Sequence, residues 1–184
     1  MLIKANKNLN LIGKSTLNQI WFRHFLDSFQ VIDFINKNDK VLVDIGSGAG
    51  FPGIIIAIIA LDRKISLKIR LIEKSPKKSF FLNQIVKKLK LNVEVMNVNV
   101  QSKDFKFFDE AFVARAFRPL PIILELIHSK AKNIKKIIIF LGKRGYEDLL
   151  QASKNWDIKY KQRMSLTSDD SFIIEIDKLE KKKN

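Results

Sequence analysis

The chain has no cysteine and only two histidines in 184 residues. Disulfides, thiolate metal sites and cysteine nucleophiles are thereby excluded, and His24 and His128 are too few for a multi-histidine metal cluster. Long hydrophobic runs are also missing. The longest, Ile54 to Leu61 and Ile137 to Leu141, fall well short of the roughly 20 residues that span a bilayer. The residues MLIKANKNLN alternate apolar with polar and lack the apolar stretch of a secretory signal, so no membrane partner and a cytoplasmic location are expected. Acidic residues are scarce: 19 Asp and Glu stand against 34 Lys and Arg, a net charge of +15 that favours a polyanion such as RNA, DNA or an anionic surface. Only seven of the cations are arginine. An A+T-rich coding sequence would produce the same wealth of Lys, Ile, Asn and Phe.

What is present fits one α/β domain over residues 1–184, with a helical segment at about 1–36 and a solvated basic tail, 178–184. Leu17, Ile20, Trp21, Phe25 and Phe29 recur at helical spacing between Thr16 and Phe34, with Ser15 or Thr16 placed to cap the start. The rhythm then changes to short apolar runs. Val41 to Ile45, Leu67 to Ile72, Val93 to Val98, Ala111 to Val113, Ile137 to Leu141, Ile158 to Lys161 and Phe172 to Asp177 read as strands. Gly53 to Leu61 has the length of a helix, and Ser75 with Pro76 caps another that runs to about Lys90. This alternation predicts a mostly parallel sheet flanked by helices, closed at one edge by an antiparallel pair.

The richest segment is Val41 to Gly53, a buried strand running into Gly46, Gly48 and Gly50 and then a helix. That order places the loop at the carboxyl edge of the sheet, where α/β proteins bind ligands. Gly48 to Gly53 also matches the dinucleotide fingerprint G-x-G-x-x-G, which would suit a nicotinamide-dependent reductase. Asp44 argues against it, because a carboxylate before the loop repels a pyrophosphate and attracts an ammonium. An acid followed by Gly46-x-Gly48-x-Gly50 is the pattern of class I S-adenosylmethionine (SAM)-dependent methyltransferases. Glu73, at the end of the second strand, can accept two hydroxyl hydrogen bonds from a ribose, or can pair with neighbouring lysines. Gly13-Lys14-Ser15-Thr16 imitates the end of a phosphate-binding loop, but Asn8 stands where its first glycine should be. Lys87, Lys88 and Lys90 read as a solvated helix face.

With Asn10-Leu11, Arg23-His24-Phe25-Leu26-Asp27-Ser28, Asp44 to Gly53 (DIGSGAGFPG), Glu73 with Lys77-Lys78 and Phe81-Leu82, Phe108-Asp109 and Ala114-Arg115-Ala116, the chain resembles the bacterial ribosomal RNA small subunit methyltransferase G family, also called glucose-inhibited division protein B. The resemblance runs from about Asn10 to Ile176. It implies a Rossmann-like class I SAM-dependent methyltransferase with a seven-stranded sheet, which methylates N7 of one guanine in small-subunit (16S) ribosomal RNA. It also implies cofactor contacts at Gly46, Phe51, Val100, Gln101 and Arg115, beside Asp44, Gly48, Gly50 and Glu73 from the loop reading. Two departures stand out. Asn99-Val100-Gln101 replaces an Arg-x-Glu, so contact through the backbone is expected there, and the family's extra helices before the Asn-Leu segment are not matched. His24 and Lys143 are candidate substrate contacts. His24 reads equally as packing, and Lys143 as one lysine among many.

Guanine N7 has a lone pair and no hydrogen, so no general base is expected, and a catalytic residue in that sense is unassigned. The absence of cysteine excludes pyrimidine C5 methylation, and no Asp/Asn-Pro-Pro-aromatic tetrad of amino-group methyltransferases occurs. Asp44 or Glu73 could steady the positive charge that develops on the base. A metal-free monomer acting on ribosomal RNA or a ribosomal particle is expected. The rival from another class, a non-catalytic RNA-binding or ribosome-assembly protein on the same scaffold, would have lost the glycines or Asp44; both are present.

Overall fold

The computed structural model describes residues 1–108 and 111–182. Asp109, at one motif position, and Lys183 and Asn184, at the end of the expected tail, lie outside the described residues. Seven strands, β1 (Val41–Ile45), β2 (Lys68–Ile72), β3 (Val93–Met96), β4 (Ala111–Arg115), β5 (Lys136–Leu141), β6 (Trp156–Met164) and β7 (Phe172–Lys181), form one sheet in the order β3-β2-β1-β4-β5-β7-β6. The first five are parallel, and β7 runs antiparallel to both β5 and β6. The expected antiparallel edge pair is therefore there, with β7 threaded inside it.

Strand alternation builds two cores. Leu42, Ile69 and Leu71 point to one face, beneath α3 (Gly53–Asp62) and α4 (Pro76–Leu89), while Val43, Ile45 and Ile72 point to the other. That second face is covered by α5 (Leu120–Lys130) and α6 (Gly145–Asn155). Because α3 is apolar on all sides, it can exist only as a buried helix. For α4, Ser75 accepts the Lys78 amide, Pro76 opens the first turn, and Lys90 stops the helix in a left-handed conformation (φ 52°).

Two expectations fail. Residues 16–34 do not form one α-helix: a 3₁₀ turn (Lys14–Gln19), a π turn (Trp21–Leu26), a single α turn α2 (Asp27–Phe29) and another 3₁₀ turn (Gln30–Phe34) follow one another. Arg23, His24, Asp27 and Gln30 each bond to distant residues from this stretch, which rewinds the helix locally. The basic tail is also shorter than expected, because Lys178 to Lys181 belong to β7 and pair with Lys159 to Trp156. Leu179 packs on the core, and the Lys181 ammonium lies 5.5 Å from the Trp156 ring centre and 3.1 Å from Glu125, which holds the strand down. Before all this, α1 (Leu2–Leu9) contributes one buried polar side chain, Asn6, which accepts the amides of Leu11 and Ile12 at 2.7 and 2.8 Å.

Candidate active site

The strand order reverses between β1 and β4, so the helices after these strands leave to opposite faces and a crevice opens at their carboxyl ends. There lies a cavity of about 470 Å³. The glycine loop forms its floor, Glu73 and the 98–101 segment one side, and His24, Arg115 and Phe117 the other. Leu11 and Ile12, set by Asn6, close its top.

The loop is fixed almost entirely through its own backbone. The amides of Gly46 and Ser47 donate to the Ile72 carbonyl, that of Gly50 to Ser47, that of Gly48 to Glu73 Oε2 (3.0 Å) and that of Gly53 to Asp44 Oδ2 (3.0 Å). Gly48 has φ +57°, and a Cβ on it would meet only the Gly46 carbonyl at 3.8 Å, so the backbone itself faces open cavity. A Cβ on Gly46 would instead enter the Phe117 ring at 2.3 Å. Glu73 is buried, with Oε1 on the Ser75 amide at 2.8 Å. Each of its oxygens keeps lone-pair capacity toward the cavity, which suits a vicinal diol.

Three predicted residues stand apart from this wall. Asp44 does not line the cavity: its fully buried carboxylate is turned beneath the loop to the amide that starts α3. Burial, opposed by the Gly53 amide and Ser47, pushes its pKa up to about 7, and Oδ1 has no hydrogen-bond partner. It is thus separated from the cavity by the loop it shapes, not aimed into the cavity as expected. Gly50 (φ +94°) is likewise behind the loop, where a Cβ would strike Ile54 at 2.5 Å. Lys143 is exposed just beyond β5 and lines neither this cavity nor a smaller one over the ends of β4, β5 and β7. Val100, which is buried, and Gln101 do line it, and Phe51 closes it from below. The Gly13-Lys14-Ser15-Thr16 segment opens a 3₁₀ turn with no strand before it, which removes the phosphate-loop reading.

Arg115 and His24 do come together. Arg115 Nη1 donates to Asp27 Oδ2 at 2.8 Å and to the Arg23 carbonyl at 3.2 Å, and its Nη2 meets His24 Nδ1 at 2.9 Å. Since the guanidinium can only donate, Nδ1 is the acceptor and the ring carries its proton on Nε2, where it donates to Thr16 Oγ1 at 2.8 Å. Thr16 passes the chain on to the Gly13 carbonyl. Burial and the adjacent Arg115 charge lower the His24 pKa to about 4. The imidazole is stacked on Phe51, with ring centres 5.2 Å apart, and the Arg115 guanidinium sits 5.3 Å from the same ring. Asp27 also accepts from the hydroxyls of Thr167 (2.8 Å) and Ser165 (3.2 Å) and from Gln30 (3.2 Å). One carboxylate thus ties the segment before β1, the end of β4 and the β6–β7 turn together.

Sequence reasoning missed this role for Asp27, Ser165 and Thr167. Asp27 carried no signal beyond its place in a motif, and the two hydroxyl residues carried none. Phe117 was missed as well, because the left-handed turn directly after β4 falls on Ala116 (φ +50°), with no glycine or asparagine to mark it in the sequence.

Comparison with known proteins decides the family. The family model described as rRNA small subunit methyltransferase G matches residues 1–172. The chain belongs to that family. It is 42% identical over 184 residues to the ribosomal RNA small subunit methyltransferase G of Pelagibacter ubique (strain HTCC1062), covering 99% of this chain and 86% of the relative. It is 33% identical over 181 residues to the protein of the same name from Rickettsia felis (strain ATCC VR-1525 / URRWXCal2), covering 97% and 88%. A SAM-dependent methyltransferase structure from Aquifex aeolicus superposes with a TM-score of 0.59 at 18% identity, over 96% of this chain and 97% of that one. That likeness establishes the class I methyltransferase fold, as the sheet order does.

Proposed function

We propose that the protein is a SAM-dependent methyltransferase that methylates N7 of a guanine in small-subunit (16S) ribosomal RNA, as its family membership indicates. The observation that carries the cofactor choice is the commitment of the loop amides. Those of Gly46, Ser47, Gly48, Gly50 and Gly53 are already bonded to carbonyls or carboxylates, and Glu73 faces the same cavity. A pyrophosphate needs free amides and no carboxylate, so NAD is disfavoured, whereas a nucleoside joined to an amino acid fits.

SAM supplies an electrophilic methyl group when bound. Glu73 would hold the ribose hydroxyls, the exposed backbone of Gly46 and Gly48 would lie along the ligand, and Val100 and Gln101 would contact it beside Phe51. Arg115 would reach it from β4, with its guanidinium pre-oriented by Asp27 and His24. Asp44 would act from beneath, by shaping the loop. None of these groups has to move a proton, because the attacking nitrogen carries a lone pair. The protein's contribution is alignment in a confined site, worth on the order of 7–11 kcal/mol. The chemistry calls for no Lewis acid, and we read the enzyme as a metal-free, cytoplasmic monomer. Among the described residues no helix is long and apolar enough to cross a membrane.

The test is to incubate the protein with methyl-labelled SAM and unmodified small-subunit particles and map the label. A single labelled guanine that is cleaved under N7-specific depurination is expected. Label on an amino group or ribose, or none, rejects the reading.

A further inference from the structure

A second cavity, of about 300 Å³, lies across the Arg115–His24 pair over the ends of β4, β5 and β7. It shares His24, Arg115 and Ala116 with the cofactor cavity. Two other cavities also adjoin the cofactor cavity, but only across apolar side chains: one through Ala49 and Phe51, the other through Ile72 and Val98. Of these three cavities, the one over β5 and β7 joins it through polar groups.

Its chemistry is selective in two ways. The half-buried ring of Phe140 and the hydroxyls of Ser168 and Ser171 line it. Those hydroxyls bond to each other at 3.1 Å and keep further donor and acceptor capacity, so they can meet either kind of atom on a base edge. The groups that might take a proton are already committed. Both ring nitrogens of His24 are hydrogen-bonded, and the Asp27 carboxylate accepts from Arg115, Thr167, Ser165 and Gln30. Such a cavity serves a nucleophile that has no proton to lose.

We propose that this second cavity receives the target guanine, with N7 directed past Ala116 into the cofactor cavity and the rest of the base edge toward Ser168 and Ser171. This rests on the methyltransferase reading above. In the transfer, the N7 lone pair forms the new C–N bond while the sulfur–methyl bond breaks with its electrons going to sulfur. Positive charge passes from sulfonium to guanine, and no proton moves.

Gly142 makes the cavity testable. It lines the cavity, its φ is not in the left-handed region, and a Cβ built on it meets nothing within 4 Å. Gly142→Leu therefore adds a bulky side chain at the cavity lining without overpacking the core, and Ser168→Leu adds bulk at a second lining position. Both variants are expected to bind SAM within about twofold of the wild type by calorimetry, yet to transfer methyl to small-subunit particles roughly a hundredfold more slowly in a single turnover. Wild-type transfer rates in both variants would overturn the acceptor cavity and leave the methyltransferase reading standing. Parallel loss of SAM affinity and transfer in both would overturn it too, since the two cavities would then be one site. Wild-type protein that transfers no methyl would instead remove the underlying reading.

Discussion

The two walls of the proposed cofactor cavity are made by different means. On the β1–β2 side the loop from Gly46 to Gly53 takes its shape from backbone bonds to the adjoining strands and to Asp44 and Glu73 at the ends of those strands. On the β4 side Arg115 is held by the Asp27 and His24 side chains and the Arg23 carbonyl, 88 to 92 positions away, and Asp27 is pinned in turn by a turn 138 to 140 positions beyond it. The first wall follows from glycine spacing and the neighbouring strand, so it tolerates little added volume at Gly46, Gly50 or Gly53, where a Cβ would strike a side chain, and more at Gly48. The second is assembled only when three distant segments meet, so it is sensitive to the loss of single polar partners.

The strongest break of the first wall is Gly48→Asp. The side chain has room, and Asp is among the residues that best tolerate φ +57°, so the domain should stay folded, but it brings bulk and a second carboxylate against the ligand beside Glu73. We expect SAM affinity to fall at least about a thousandfold, or roughly 4 kcal/mol. Calorimetry on the folded variant decides; retained affinity would remove the loop from the site.

Asp27→Ala breaks the second wall. Asp27 and Arg115 have side chains only 15% and 14% exposed, so the substitution strands a buried guanidinium together with three other donors. A loss of about 3 kcal/mol in urea unfolding is expected, together with weaker SAM binding. Stability within a few tenths of the wild type would show that the carboxylate is not the tie between the three segments.

The pH behaviour separates the walls further. Asp44, at about 7 in the folded protein against 3.8 as a free side chain, binds its proton more tightly when folded. Its contribution is complete below pH 3.8 and lost as pH rises through 7. His24 has the opposite sign: its pKa is lowered from 6.5 to about 4, so its contribution is present above 6.5 and lost as pH falls through 4. Asp44→Asn should therefore cancel a stability decline between about pH 4 and 7, on the order of 3 kcal/mol, that the wild type shows relative to it. Denaturant midpoints across pH for the two proteins measure this. Parallel curves would mean that Asp44 is ionised in the folded state.

The smallest effect is expected at His24→Gln. With its titration near pH 4, His24 is neutral from about pH 6 to 9, and single-turnover methyl transfer at saturating SAM and RNA should be nearly flat there in both proteins. The substitution should change the rate by less than about tenfold, since Gln can accept from Arg115 and donate to Thr16. A tenfold rise per pH unit that persists in the variant would mean that a proton leaves before transfer, and N7 would no longer be the acceptor.

Much of the first wall was legible in the chain. Strand, glycines, helix and an acid at the next strand's end follow one another in sequence, and short-range sterics leave such a stretch few conformations. The same reading located the seven strands along the chain and paired the last two antiparallel, while the order of the strands in the sheet came only from the structure. It failed where contacts are long-range. Arg23, His24 and Asp27 satisfy a helical period on paper, but their bonds to Arg115 and the 165–167 turn outweigh local helix geometry. Asp44 was read as facing a ligand because it precedes the loop; parity along β1 and the start of α3 turn it inward.

By itself, then, the sequence determined the sheet, the loop and the chemistry they exclude, because hydrophobic period, glycine freedom and the absence of cysteine act over a few residues or over the whole composition. Only the tertiary structure decided which nitrogen of His24 is protonated, that Asp44 lies beneath the loop, and that a second cavity opens across Arg115. Each of these depends on which buried polar groups find partners, and in this protein the partners at Arg115 are 88 to 92 residues away in the chain.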